Sequence, residues 1–206
     1  MTNSNTLPFT AIVDTVDLFT KSIVLRSGDI AKVRPVQPND QIRLGRYFED
    51  LSDETRSRYG PHKFSMAVAE EICSQVGHDE TVRMVAVTGH GATAEIVAYF
   101  ILDFAIPDSE RARYQGYGIT LHTESDCRLA PSVADRYQNS GVGSALMPKC
   151  KEVVRQFGYQ RMILMGGVLV RNPLAVHFYQ KHGFRKVGDF EQGTKNASYD
   201  MILSLD

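Results

Sequence analysis

The stretch that most constrains this chain runs from Leu129 to Phe157. A short apolar run, Leu129 to Ala134, leads into Gln138-Asn-Ser-Gly141-Val-Gly143. Leu146, Cys150, Val153, Val154 and Phe157 then recur at helical spacing and put one apolar stripe on a helix over 141–157. The order is therefore strand, glycine loop, helix. The first N–H groups of a helix lack an intrahelical acceptor, and glycine lets an anion approach the backbone closely. The segment predicts an anion cradle at a helix start. Pro148 removes one helical N–H and should kink the helix, but it lies downstream of the cradle. The related pattern Arg113-Tyr-Gln-Gly-Tyr-Gly118 precedes a β-like run and reads as a plain turn.

The rest of the second half alternates strands with helices. Strands are expected over 162–170, 184–187 and 198–205, and a helix over 173–182. In the first half, 30–36 reads as a strand that Pro35 pushes toward a sheet edge. Pro38-Asn-Asp40 opens a helix carrying Leu44, Tyr47, Phe48 and Leu51; Ser52 caps a short second one, and 65–76 forms a third. Strands over 82–88 and 95–104 make an antiparallel hairpin around Gly89-His-Gly-Ala92, and 117–122 reads as a further strand. Residues 1–28 form an N-terminal extension, expected to add strands at 11–13 and 22–25, ahead of one domain over 29–206. This is an α/β (mixed α+β) architecture: a mostly antiparallel sheet with parallel pairing in its second half and helices on both faces. Pro131 inside a strand points either to a β-bulge that frees backbone polar groups for an extended ligand, or to the strand's end.

Composition narrows the function. The chain has 206 residues, 43% of them hydrophobic and 23% charged, so it can bury a core. Lys+Arg number 23 against 24 Asp+Glu, which argues against a phosphate-gripping nucleic-acid partner. The three cysteines (Cys73, Cys127, Cys150) are odd in number and widely spaced, as expected of free thiols in a reducing, cytoplasmic setting with no metal site. The first residues lack the pattern of a signal peptide, and the longest apolar run is too short for a membrane span.

Asn172-Pro173 is a strong helix start and Gly183 a helix stop. Asn172, Val176 and Tyr179 line up on one face of the helix between them, with Leu174, Ala175 and Phe178 on another that is expected to face the core. Together, 133–146 and 170–184 resemble the acetyl-CoA loop and the C-terminal motif of the GNAT superfamily of N-acetyltransferases. The opening segment, 25–40 and 51–56, is similar to the protein-lysine acetyltransferase branch.

That resemblance implies the GNAT fold, with a splayed parallel strand pair, and acetyl-CoA as cosubstrate with no metal. It implies that Gln138, Asn139, Ser140, Gly141, Val142, Gly143 and Ser144 hold the pyrophosphate through backbone N–H groups. Ser132, Val133 and Ala134 would pair with the pantetheine arm, Asn172 would sit near the cofactor, and Tyr179 would be the general acid that protonates the departing thiolate. A phenol near pKa 10 is a reasonable donor to a thiolate whose thiol titrates near 8.5. One departure stands out: Arg128 occupies a position where many relatives have Glu. Asp126, Glu124, His122 or a water are the candidate bases, and Arg128 reads as a solvated edge charge or a contact for an acidic acceptor.

The leading reading is direct acetyl transfer to a primary amine, a small molecule or a protein lysine, in a ternary complex. The competing reading is an acetyl-CoA sensor with weak catalysis. Retained Tyr179 favours the enzyme and the missing Glu the sensor. Acceptor choice is expected from 46–64 and 190–197, where charge is mixed, and a homodimer is compatible with the sequence.

Overall fold

The computed structural model describes residues 8–59, 61–192 and 196–205. Among these, nine strands form one sheet. β1 (Lys21–Val24), β2 (Ile30–Pro35), β3 (Thr81–Thr88), β4 (Glu95–Asp103) and β5 (Asp126–Val133) pair antiparallel in that order. β5 then pairs parallel with β6 (Arg161–Leu164). β9 (Asn196–Ser204) runs antiparallel to β6, to β7 (Val168–Leu169) and to β8 (Arg185–Gln192). The expected mixed sheet is present, with β5 and β6 as its parallel pair.

Helices cover both faces. On one side lie α2 (Gln41–Glu49), α3 (Asp53–Ser57) and α4 (Met66–Ser74), where Leu44, Phe48 and Ile72 pack on Val85, Tyr99 and Ile101. Ser52 caps α3 through its hydroxyl, as expected, and Ser65 does the same for α4. The other side carries α6 (Val142–Gln156), with Leu146, Cys150 and Val153 buried against Met84, Phe100 and Leu129. Each large apolar side chain fully buried this way contributes about 1.5–3 kcal/mol over exposure. α7 (Pro173–Lys181) begins at Asn172, whose Oδ1 accepts the Ala175 N–H at 3.2 Å.

Several expectations need correcting. Residues 11–13 are not a strand but part of the helix α1 (Ala11–Asp14). This stretch anchors the extension, because Phe9 and Phe19 stack on Phe157 and bury the end of α6. Residues 117–122 form no strand; they follow α5 (Asp108–Gln115) and tuck Leu121 beside Tyr114 and Ile163. Helix α5 shows no apolar stripe in the sequence, because only Tyr114 among its residues is large and apolar. The expected strand over 162–170 is broken at Gly166 and Gly167, both at positive φ. β2 is not the edge strand, since β1 lies outside it; Pro35 falls beyond the last β1 pairing at Val33, where its missing N–H is harmless.

Candidate active site

The site is built where β5 and β6 part. Their pairing ends at Leu129 with Leu164, the Met165 N–H still reaches the Leu129 carbonyl, and the Gly166–Gly167 turn then carries the chain away. β5 continues to Val133 with a partner only on the β4 side. The register with β4 is unbroken through Pro131, so no β-bulge lies there; the splay comes from the glycine turn on the β6 side. Ala134 donates its N–H to Val97 on the β4 side, and strand alternation then points Pro131 and Val133 into the splay. Pro131 is tolerated because its ring nitrogen faces a gap in the ladder.

Among the pantetheine candidates, Val133 thus offers its backbone N–H to the splay. Ser132 and Ala134 turn theirs toward β4, and the Ser132 hydroxyl is paired with Tyr47 Oη at 2.8 Å. In the glycine loop, the amides of Gln138 and Ser140 are engaged by Asp135 and Tyr137 carbonyls. Asn139, Gly141, Val142, Gly143 and Ser144 keep N–H groups without a partner among the described residues, since the first helical bond is Ala145 to Gly141. Gly141 sits at φ +91, a left-handed conformation that demands glycine, with the Arg26 guanidinium beside it. Gly143 has a different reason: a Cβ there would meet the Phe178 ring at 3.2 Å.

The loop is braced from below. Asp135 accepts hydrogen bonds from the Ser52 N–H and from the Ser52 and Thr55 hydroxyls; burial opposes its ionisation, but these bonds hold the carboxyl below its usual range. The Gln138 side chain donates to Thr55 Oγ1 and to the Val133 carbonyl.

A cavity of about 1120 Å³ runs from the loop through the splay to the sheet face between α4 and α5. That exceeds the roughly 300–1,000 Å³ of ordinary ligand pockets, leaving space for a large cofactor and an acceptor. Beside the loop it carries Arg26 and Lys181, suited to phosphates, and Asn172 and Tyr179 line it as well. Tyr179 is 7% exposed, between Phe178 and Phe184, and its hydroxyl takes no partner among the described residues. Burial pushes its pKa well above the usual phenol value, so it stays protonated.

The cavity wall also holds Tyr59, Asp79, Arg83, Asp103 and Glu110, which belong to no motif in the sequence. Arg128 is no solvated edge charge. Its side chain is 14% exposed, it pairs with Asp103 across β4 and β5, and Glu110 approaches at 3.6 Å. Of the candidate bases, Asp126 is fully buried, held by Arg161 at 2.5 and 2.6 Å and by the His122 N–H. Glu124 and His122 are exposed and lie outside the cavity. Among the described residues no group of three or more His, Cys, Asp or Glu is placed to hold a metal, and no helix is long and apolar enough to cross a membrane.

The sequence model of the acetyltransferase (GNAT) family matches residues 50–184, more than half of the chain. The chain belongs to the GNAT acetyltransferase family. It is thus an N-acetyltransferase whose donor, as in the family, is acetyl-CoA. Solved structures of the same fold include the GNAT domain of S. lividans PAT, at 21% identity over 91% of this chain and 97% of that one, with a TM-score of 0.66. The ribosomal-protein-S5-alanine acetyltransferase of Vibrio fischeri is 14% identical over 85% and 93%, with a TM-score of 0.65. Mycobacterium smegmatis RimJ, in complex with CoA-disulfide, is 13% identical over 90% and 86%, with a TM-score of 0.65. No curated protein sequence matches the chain significantly. Within the GNAT frame, the break at Gly166–Gly167 is what opens the parallel pair, and α5 is what brings a carboxylate to that opening.

Proposed function

We propose that this GNAT protein transfers acetyl directly from acetyl-CoA to a primary amine, on a small molecule or a protein lysine, in a ternary complex. The observation that carries the reading is the continuity of one cavity from the unpartnered loop amides, past the opened β5–β6 pair, to the polar sheet face. The donor supplies a thioester carbonyl that an amine attacks, with a thiolate as leaving group. The residues present fit it: free N–H groups and Arg26 and Lys181 for the phosphates, and Val133 for an amide-bearing arm. Tyr179 holds a proton on the wall of that cavity and takes the role of a general acid toward the departing sulfur.

Direct transfer is also supported by the thiols. Cys73, Cys127 and Cys150 are buried, and burial raises all three, Cys73 to about 11, so none is an activated nucleophile. Primary amines are the acceptor class favoured by the chemistry, and structural neighbours named for alanine of a ribosomal protein and for spermidine share that class. The test is release of free thiol from acetyl-CoA against a panel of amines: amino acids, polyamines, aminoglycosides and lysine peptides. Amine-dependent release supports the proposal; tight acetyl-CoA binding without turnover on any amine favours the sensor.

A further inference from the structure

Seven buried side-chain polar atoms lack a hydrogen-bond partner among the described residues. All but Gln156 Oε1 belong to residues lining the cavity: Tyr59, Asp79, Arg83, Glu110, Arg128 and Ser198. Buried polar groups are paired as a rule, so a cluster of such atoms along one cavity points to partners supplied by ordered water or by what binds there. Two of these atoms are carboxylate oxygens, Asp79 Oδ1 and Glu110 Oε2.

Their places differ. Asp79 precedes β3, two strands from the splay, and its other oxygen is bonded to Arg83 at 2.9 Å. Glu110 comes from the first turn of α5 and is 5% exposed. Its Oε1 accepts the Gly166 N–H at 2.9 Å, at the turn where β6 leaves β5. The backbone thus clamps one oxygen of Glu110 at the mouth of the splay, while the other is buried in the cavity wall without a hydrogen-bond partner among the described residues. Asp103, the remaining carboxylate there, has both oxygens engaged, by the Ala105 N–H and by Arg128.

We propose that Glu110 is the general base that takes the proton from the acceptor's ammonium group. This rests on the acetyltransfer reading above. In the step, an N–H bond of the ammonium breaks and an O–H bond forms at Glu110 Oε2. The electron pair stays on nitrogen as the nucleophile's lone pair, and the proton then passes from the carboxylic acid to solvent through the open cavity. The Arg128 guanidinium, 3.6 Å from Oε2, faces the carboxylate and is itself paired with Asp103; Arg113 lies 3.8 Å from Oε1. A carboxylate base is thereby brought by α5 to the place where Arg128 stands on β5.

The test is Glu110→Gln, which keeps an Oε1 acceptor for Gly166 and so preserves the clamp. We expect kcat/KM for the amine to fall by about 100-fold or more, the usual worth of a general base. The acidic limb of the kcat/KM–pH profile should disappear, while calorimetric affinity for acetyl-CoA stays unchanged. Glu110→Asp, which keeps a titratable carboxylate but withdraws it by one methylene, should also lower kcat/KM, with the acidic limb retained, and serves should the Gln variant fold poorly. Activity within about threefold of wild type with the acidic limb intact, in either folded variant, overturns the proposal and leaves the acetyltransfer reading standing. Absence of amine-dependent thiol release by wild type overturns that reading, and this assignment with it.

Discussion

Replacing Tyr179 by Phe removes one hydroxyl and nothing else. The ring sits with its centroid 5.3 Å from that of Phe178 and 5.5 Å from that of Phe184, contacts that Phe preserves. The hydroxyl has no partner among the described residues, so its loss strands no buried donor or acceptor. Deleting a paired buried hydroxyl costs about 1–3 kcal/mol through the orphaned partner. Here the change in stability should stay within about 0.5 kcal/mol, as for a substitution that breaks no contact. Catalysis should respond very differently. Burial keeps the phenol protonated, so under the proposed acid role a proton is in place when charge develops on the sulfur. Loss of such a donor lowers the rate by about 100-fold or more. A hundredfold is about 2.7 kcal/mol of transition-state stabilisation. Because the donation occurs only in the transition state, kcat and kcat/KM should fall together. The assay is thiol release under saturating and limiting amine, with urea unfolding and acetyl-CoA calorimetry as controls. An unchanged rate would refute the acid assignment, and weaker acetyl-CoA binding with full kcat would make Tyr179 a binding residue.

Other perturbations follow from the same contacts. Gly141→Ala forces a Cβ into a left-handed backbone at φ +91, costing about 1–2 kcal/mol; acetyl-CoA affinity should drop at least about tenfold, as expected where the strain shifts the loop amides. Equal affinity by calorimetry would place the phosphates elsewhere. Asp126→Ala leaves Arg161 without the carboxylate that ties the first parallel pair of β5 and β6, so urea unfolding should show a loss of about 3 kcal/mol, and less than 1 kcal/mol would contradict this. The buried phenols of Tyr47, Tyr99, Tyr114 and Tyr179 are all raised by burial above their unfolded value near 10. Below pH 10 they are neutral in both states; above it the unfolded chain loses protons that the folded one keeps, so stability should fall with rising pH, by about 1.4 kcal/mol per pH unit per group. A flat thermal midpoint between pH 9 and 11 would contradict that.

The strongly patterned parts of the fold were legible in the sequence. The apolar stripe of α6 and the caps at Ser52 and Asn172 each rest on a local rule of spacing or hydrogen bonding, and the structure follows them. What could not be read was set by tertiary contact. Ile12 and Val13 are β-branched, yet they lie in a helix that buries Ile12, between Phe9 and Phe19, which stack on Phe157. Helix α5 carries its function on Glu110, a charged residue in a charged segment, and nothing in its spacing sets it apart. Pro107 followed by Asp108 and Glu110, with Arg111 and Arg113 later, was the available helix signal. For the base, residues close to Arg128 in sequence looked adequate, but Asp126 is held by Arg161 and the carboxylates that reach the splay come from β4 and α5.

Direct transfer in a ternary complex is tested most plainly in a single turnover. Enzyme in excess over acetyl-CoA is mixed with an accepted amine, and protein, thiol and amine are followed together by rapid quench and intact-mass spectrometry. With all three thiols buried and raised in pKa, acetylated amine should appear at the same rate as free CoA, one for one, with the protein mass unchanged throughout. An acetylated protein that forms without amine and disappears on its addition would contradict the account.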